Sequence, residues 1–486
     1  MTQQDFLTIL PPALLAAWAV ITLVADLWVP RERKGITALL AAFGIAIVLG
    51  VNLALNGMTG DLRPAFFDMA VLDGFAVFAN VLILASAMLG VGISYDYIKR
   101  TGIERGEYYV MILLSSAGMM LMVQAYNLIV FFLALELLSI PLYVLAGFAR
   151  PRADSEESAL KYFLLGSFAS AFFLYGAALV YGGSGATSLP EILAAAQGQG
   201  DVANRPLLLA GAALLLVGLG FKVSAVPFHM WTPDVYEGAP TPVSAWMAVS
   251  VKVAALAALL RVFVVAFPGL AEDMRGVIWA ISAITMIVGN LLAIVQTSIK
   301  RLLAYSSIAH VGYLLMAFVG YGDGQVVGSG VAATLFYLMA YGLTSFAAWG
   351  VVIAVERNEG RGLALEEYSG LGRKYPWLGV AMMAAMFSFA GIPLTLGFWG
   401  KLYVFQAAVQ AGAVGLALIG LLTSLFSAYY YLRVLVVMYM RPGDPVARQD
   451  SWLNLVTVAS AAAVVLLAFI PGTLFNLAAD AIFRLP

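Results

Sequence analysis

Charged side chains rarely interrupt long apolar runs unless something there uses them. In this sequence six basic residues do so, namely Lys161, Lys222, Lys252, Arg261, Lys401 and Arg433, and a single acid, Glu136, sits deep in such a run. Two histidines, His229 and His310, have similar surroundings. An ionised group at the centre of a bilayer costs roughly 2.5–3.5 kcal/mol even on the mildest scale, so it normally faces a partner or water. Lysine is informative here. Arginine keeps its proton in any protein environment, whereas burial readily lowers the proton affinity of a lysine. Lys222, Lys252 and Lys401 are therefore candidates for groups that lose and regain a proton near neutral pH. The competing reading is a structural ion pair of Glu136 with one lysine, which leaves the other lysines unneutralised. Arg261 and Arg433 come later in their runs and read as structural. Asp26 and Asp73 lie near the ends of runs and are expected to be solvated.

The elements that must position these groups follow from composition. The chain has 486 residues, of which 62% are hydrophobic and 11% charged, with net charge −1 and no cysteine. A soluble domain is about 45–50% apolar and about 25% charged, so a soluble fold is excluded. Nucleic-acid binding has no basic tract to support it. Without cysteine there is no disulfide, zinc finger, iron–sulfur ligation or thiol nucleophile, and two histidines cannot build a multi-histidine metal or haem site. A membrane-crossing helix needs about 20 mostly apolar residues. That window predicts an all-α polytopic membrane protein with about fourteen spans, at 6–28, 36–57, 72–94, 108–124, 126–148, 158–182, 207–230, 243–267, 276–297, 301–321, 328–355, 376–405, 412–440 and 453–478. The runs are too long, and too little alternating, for a β-barrel. No connection exceeds about 25 residues, so no soluble domain for a nucleotide, flavin or metal cluster is expected.

Loops after odd-numbered spans hold sixteen cations: Arg31, Arg33, Lys34, Lys99, Arg100, Arg105, Arg150, Arg152, Lys300, Arg301, Arg357, Arg361, Arg373, Lys374, Arg441 and Arg448. Loops after even-numbered spans and the tail hold four: Arg63, Arg205, Arg275 and Arg484. The positive-inside rule makes the odd loops cytoplasmic and puts both termini on the opposite face.

Spans 5 and 6 align with spans 10 and 11 at one offset of 174 residues, so that Ala159–Leu164 faces Ala333–Leu338, Gly176 faces Gly350, and Glu136 faces His310. At an offset of 172, Leu260-Arg261-Val262 faces Leu432-Arg433-Val434. This predicts two five-helix repeats, with domains at 1–107 (three N-terminal spans), 108–267, 268–440 and 441–486 (a C-terminal span). Five is odd, so the second repeat must be inverted. Inverted repeats with interrupted helices are how many transporters build an ion site near mid-membrane. Span 7 carries Pro227, and span 12 carries Gly391-Ile392-Pro393 and Gly397. Proline removes an amide donor and clashes with the preceding turn, so broken helices 7 and 12 are expected. A simple structural kink is the alternative.

Glu136 is ten residues into its span, about 15 Å deep at 1.5 Å per residue. Lys252 is at a similar depth, Lys222 lies five residues before Pro227, and Lys401 four after Gly397. Lys161 is only a few residues into span 6, where snorkelling to the interface is an equal alternative. His229 follows Pro227 by two and suits a proton relay or a bond to a freed carbonyl.

Several stretches carry a family resemblance. Leu135-Glu136-Leu137, the long run Phe221-Lys222-Val223-Ser224-Ala225-Val226-Pro227-Phe228-His229-Met230-Trp231-Thr232-Pro233-Asp234 and its continuation through Val243, Lys300-Arg301-Leu302-Leu303-Ala304-Tyr305-Ser306-Ser307-Ile308, and Ala390-Gly391-Ile392-Pro393 resemble the antiporter-like subunits of bacterial proton-pumping NADH:quinone oxidoreductase, respiratory complex I. The resemblance covers spans 4–13. Within the family it is to the N type, counterpart of mitochondrial subunit 2. The largest type has a long C-terminal lateral helix, and the M type has glutamate where Lys401 stands. The resemblance implies proton translocation driven by NADH oxidation and quinone reduction in other subunits. It implies that Glu136 is the ion-pair carboxylate, Lys222 the main proton carrier, Lys252 the connecting lysine and Lys401 the far carrier. Lys161, His229 and His310 match positions with supporting roles. FMN, iron–sulfur clusters and quinone are expected on other subunits and no cofactor on this chain. Another antiporter-like subunit, small membrane subunits and lipids are the expected partners, in the bacterial inner membrane.

Two other readings remain open. The same fold and lysines would serve a multi-subunit cation/proton antiporter or a membrane-bound hydrogenase. A non-conducting scaffold subunit is the third, which the deep lysines disfavour because apolar residues pack better.

Overall fold

The computed structural model describes residues 3–30, 33–57, 64–197, 204–324, 326–357, 362–481 and 483. Arg31, Arg63, Arg361 and Arg484, used above to assign loop sides, lie outside the described residues. Those residues form nineteen α-helices and no sheet. In chain order they are α1 (Gln3–Asp26), α2 (Gly35–Asn56), α3 (Gly74–Arg100), α4 (Glu107–Gln124), α5 (Leu128–Ala146), α6 (Ala153–Ser184), α7 (Leu189–Ala196), α8 (Arg205–Val223), α9 (Trp231–Gly238), α10 (Thr241–Ala266), α11 (Ala271–Ile294), α12 (Ile299–Phe318), α13 (Val327–Val355), α14 (Leu371–Lys374), α15 (Pro376–Ala390), α16 (Leu396–Gln410), α17 (Val414–Met440), α18 (Ser451–Leu466) and α19 (Pro471–Ala479).

Thirteen helical stretches among the described residues are long and apolar enough to cross a membrane. The chain is an all-helical, multi-pass membrane protein. Three expected spans are interrupted. Span 7 stops at Val223, and span 12 is two fifteen-residue helices, α15 and α16. The last span ends in a 3-10 turn before Pro471, whose missing amide cannot continue the helix.

α10 is the core of the bundle. Every residue from Thr241 to Ala266 is buried, and the helix packs on α3, α4, α8 and α13. Its alanines and valines are small, so neighbouring backbones approach closely, which is how helices pack without a hydrophobic drive between them. α4 and α5 touch at Gly118, where a Cβ would stand 2.5 Å from the Leu138 amide nitrogen. α11 and α12 touch in the same way at Gly289, against the Ala309 amide nitrogen at 2.6 Å.

Other features also occur twice. The start of α5 is pinned to the start of α7 by Leu128 N–H to Thr187 O (2.9 Å) and Leu189 N–H to Tyr126 O (3.0 Å). The start of α12 is pinned to the segment after α13 by Ile299 N–H to Leu363 O and Leu365 N–H to Thr297 O, both 2.9 Å. Arg261 Nε donates to Val123 O at the end of α4 (2.8 Å). Arg433 donates to Ile294 O and Gln296 O at the end of α11 (2.8 and 2.7 Å).

The two acids expected to be solvated are buried. Asp73 is 4% exposed and accepts both terminal nitrogens of the fully buried Arg261, at 2.8 and 2.7 Å. It also accepts the Ala76 amide at the N-terminus of α3 (2.9 Å). A guanidinium cannot shed its charge, so burying Arg261 requires a buried acid. Asp26 accepts Lys34 Nζ at 2.6 Å and Thr37 Oγ1 at 2.5 Å.

Asp73→Ala or Arg261→Ala alone should therefore cost about 3–5 kcal/mol. The loss is expected as a lower melting temperature of the detergent-solubilised complex, and an Asp73→Leu/Arg261→Met double variant should be milder than either single. Singles that melt like the parent would contradict the assignment.

Candidate functional site

Both helix breaks are built the same way. α8 ends with Ser224 in the left-handed region (φ 70°), Ser224 N–H bonded to Phe221 O (3.0 Å) and Ala225 N–H to Gly220 O (2.8 Å). α15 ends with Gly391 at φ 81°, Gly391 N–H bonded to Ser388 O (3.0 Å) and Ile392 N–H to Phe387 O (2.9 Å). Each is a Schellman cap, which satisfies carbonyls that a broken helix leaves free. Glycine takes this conformation at no steric cost, whereas Ser224, and Leu394 at φ 72° in the second break, hold strain of order 1–3 kcal/mol each. The first break is locked by its surroundings. Trp231 Nε1 donates to Phe221 O (2.9 Å), Thr232 Oγ1 to Ser224 Oγ (2.6 Å), and Val226 N–H to Thr285 Oγ1 (3.0 Å) on α11.

The lysines are set against these breaks. Lys222, in the last turn of α8 and two residues before Ser224, is 3% exposed. Its Nζ is 3.4 Å from the Tyr162 hydroxyl and lies over the rings of Tyr143 and Tyr162. Lys401, on α16 after the second break, is 4% exposed. It donates to Ala390 O at the end of α15 (3.1 Å) and to Ser424 Oγ (2.7 Å), and lies over Tyr313. An ammonium there meets the negative end of the α15 dipole. Lys252, in the middle of α10, is 1% exposed, and Nζ donates to the Tyr236 hydroxyl at 3.2 Å.

Aromatic rings join these groups. Tyr162 stacks on Trp231 with centroids 4.6 Å apart, and Trp231 meets Tyr236 edge-on at 6.1 Å, which connects Lys222 to Lys252. His310, 3% exposed, is bonded through Nδ1 to Tyr337 (2.7 Å) and through Nε2 to Tyr431 (3.1 Å). Its ring meets Tyr313, the ring under Lys401. The charges of both Lys252 and Lys401 reach His310. Among the described residues, none of the three lysines has a carboxylate within ion-pair distance.

Glu136 is half-buried, and Ser170 Oγ donates to it at 2.5 Å. Its charge reaches Lys222, but the two are not paired. The Glu136–lysine ion pair weighed from the sequence is not formed. Lys161 stands apart, 41% exposed at its side chain, bridged to Glu157 (2.7 Å) and Asp234 (2.8 Å). His229 is half-buried in the turn before α9 and is bonded to none of the three lysines among the described residues. Sequence reasoning missed Tyr162, Tyr236, Tyr313, Tyr337 and Tyr431. Their signal was a phenol inside an apolar helix, which needs a polar partner when buried.

A family profile described as "NADH:quinone oxidoreductase/Mrp antiporter, TM" matches residues 125–427. A curated relative from Trichlorobacter lovleyi, named NADH-quinone oxidoreductase subunit N, is 44% identical over 481 residues, covering 98% of this chain and 96% of its own. The chain belongs to the NADH-quinone oxidoreductase subunit N family. The subunit N relatives are matched at nearly full length, beyond the ten spans whose motifs carried the resemblance. A chain in the respiratory complex I structure from Thermus thermophilus superposes with TM-score 0.82 at 38% identity, covering 96% of this chain and 99% of that one. A chain of the Mrp complex from Dietzia sp. shares the fold, with TM-score 0.84 at 21% identity over 99% of this chain and 97% of that one.

Gly391→Ala should displace Lys401. The new Cβ would stand 2.8 Å from Lys401 Cδ, in a conformation that costs an L-residue about 1–2 kcal/mol. A map of the variant complex should show Lys401 Nζ drawn away from Ala390 O. An amine still bonded to that carbonyl would refute the crowding.

Proposed function

We propose that this subunit conducts protons across a bacterial inner membrane, coupled to NADH oxidation and quinone reduction carried out by other subunits of complex I. The names of the relatives supply the complex. The observation that carries the proton reading is the set of three lysines, 1–4% exposed, each held by neutral hydroxyls or a carbonyl and by no carboxylate among the described residues. An unpaired ammonium in such a place is costly and a neutral amine is not. Each is therefore poised between two protonation states.

In this reading Glu136 sets the state of Lys222. Closing the pair to 4 Å would add about 4 kcal/mol of attraction at an effective dielectric of 20, favouring the ammonium. With the carboxylate bonded to Ser170 instead, that hold is absent and the proton passes toward Lys252. From there it continues by His310 to Lys401 and out. Tyr162, Tyr236, Tyr313, Tyr337 and Tyr431 line the route and hold the nitrogens in place. Lys161 and His229 support it from the side and from the turn. The repeated locks at α5 and α12, the repeated arginine caps and the repeated Schellman breaks support two five-helix repeats at 108–267 and 268–440. The odd loops face the cytoplasm and both termini the opposite side. Other antiporter-like and small membrane subunits flank the chain, and FMN, iron–sulfur clusters and quinone belong to partners.

The test is the number of protons pumped per electron in an assembled complex carrying Glu136→Gln or Lys222→Ala. Both should lower it while NADH oxidation by the peripheral redox centres persists, and Lys222→Arg should not rescue it, because arginine cannot release its proton. A normal ratio in both variants would leave only a scaffold. Copurification with antiporter subunits and no NADH-oxidising ones would instead favour a cation/proton antiporter.

A further inference from the structure

One cluster of buried ionisable groups lies outside the lysine chain. Glu356, the residue immediately after α13, is 2% exposed, and its Oε1 accepts the Tyr97 hydroxyl at 3.2 Å. Its Oε2 is buried with no hydrogen-bond partner among the described residues, as are the Tyr368 hydroxyl, which the charge of Glu356 reaches, and Thr241 Oγ1 at the start of α10. Lys300, on the first turn of α12, is 1% exposed, and among the described residues its Nζ donates to Ala239 O alone, at 2.9 Å. The charges of Glu356 and Lys300 reach each other, and those of Arg152 and Glu237 also reach Lys300. Neither Glu356 nor Lys300 is in an ion pair among the described residues. The guanidinium of Arg100 donates to the Ile353 and Glu356 backbone carbonyls, not to the carboxylate.

We propose that Glu356, Lys300, Tyr97, Tyr368 and Thr241 enclose a water-holding chamber on the cytoplasmic side, in which Glu356 takes up protons and hands them to Lys252 and His310. The inference rests on the proton-conducting reading above. Three buried polar atoms without a hydrogen-bond partner among the described residues are the donor and acceptor set that internal water requires, two to four bonds per molecule. An acid and a lysine that are both buried and not paired with each other can exchange a proton through such water, whereas a closed ion pair could not. The chamber lies where α3, α10, α12 and α13 meet, next to the cation-bearing ends that the positive-inside rule makes cytoplasmic.

Its position on two helices sets the direction. Thr241 and Lys252 are eleven residues apart on α10, three turns, and so share a face. On α12, Lys300 and Ser307 are seven apart and share a face, and Ser307 is one turn from His310. The Ser307 hydroxyl is buried and lies beside the hydroxyls of Tyr236 and Tyr341. Tyr236, whose hydroxyl holds Lys252, has its backbone carbonyl bonded by Ser244 Oγ at 2.8 Å. The proton balance is simple. A proton from cytoplasmic water binds Glu356 Oε2, and the neutral acid later returns it, through water and hydroxyls, to a neutral Lys252 amine. The carboxylate is thereby regenerated. This uptake route differs from the one past Glu136 and Lys222, because it reaches the middle of the chain directly.

The experiment is Glu356→Gln in the assembled complex, beside Lys252→Ala. Glutamine keeps the volume and still accepts from Tyr97, but cannot carry a proton. Both variants should pump fewer protons per electron. Tyr97→Phe provides a second variant should glutamine impair assembly, and it too should lower the ratio. A high-resolution map of the parent complex should show ordered water bonded to Glu356 Oε2 and the Tyr368 hydroxyl. If Lys252→Ala lowers pumping while Glu356→Gln and Tyr97→Phe leave it normal, or if the chamber is dry, the uptake role is wrong and the conducting reading survives. If Lys252→Ala itself has no effect, the conducting reading fails first.

Discussion

Three lysine side chains are packed into the protein with no carboxylate within ion-pair distance among the described residues, and the rest of the structure serves that condition. A buried charge without a partner is among the most costly arrangements a fold can hold, and a neutral group of the same shape costs little. The surroundings of Lys222, Lys252 and Lys401 stop short of fixing their charge. Tyrosine hydroxyls, a serine and a helix-end carbonyl hold each nitrogen in place and serve either protonation state. Where the protein needs permanent charge it builds differently. Arg261 is equally buried and has Asp73 gripping both terminal nitrogens.

The helix breaks follow from the same need. A continuous helix beside Lys222 or Lys401 would leave no helix-end carbonyl free to meet them. The two Schellman caps end α8 and α15 cleanly, and the segments beyond them tie the released carbonyls to Trp231 and to Lys401 itself. The strain at Ser224 and Leu394 is tolerated because surrounding hydrogen bonds over-determine the turns.

Much of this was legible in the sequence. Apolar run length revealed the membrane helices, and Pro227 and Gly391-Ile392-Pro393 revealed the breaks. Residue type revealed the lysines, since lysine in an apolar run has few uses. Depth along a span misled in one respect. Glu136, the deepest acid by position, is only half-buried, while Asp26, Asp73 and Glu356, all near span ends, are nearly inaccessible. Position along a helix measures depth in the membrane, whereas burial depends on which neighbours cover the face, and that is tertiary. The tyrosines that hold the lysines come from other helices, Tyr162 from α6 for Lys222 and Tyr313 from α12 for Lys401, so no local pattern pairs them. Lys161 shows the opposite case. Its place near a span end suggested an exposed charge, and it is bridged to Glu157 and Asp234 at the surface.

Nitrogen-15 NMR of labelled lysine side chains in the intact complex, recorded across pH and in resting and turning-over states, addresses the main claim most directly. The account predicts that at least one of Lys222, Lys252 and Lys401, assigned by single substitution, gives a neutral-amine signal within the physiological pH range and changes intensity with turnover. Three nitrogens that stay ammonium at every pH and in every state would contradict it.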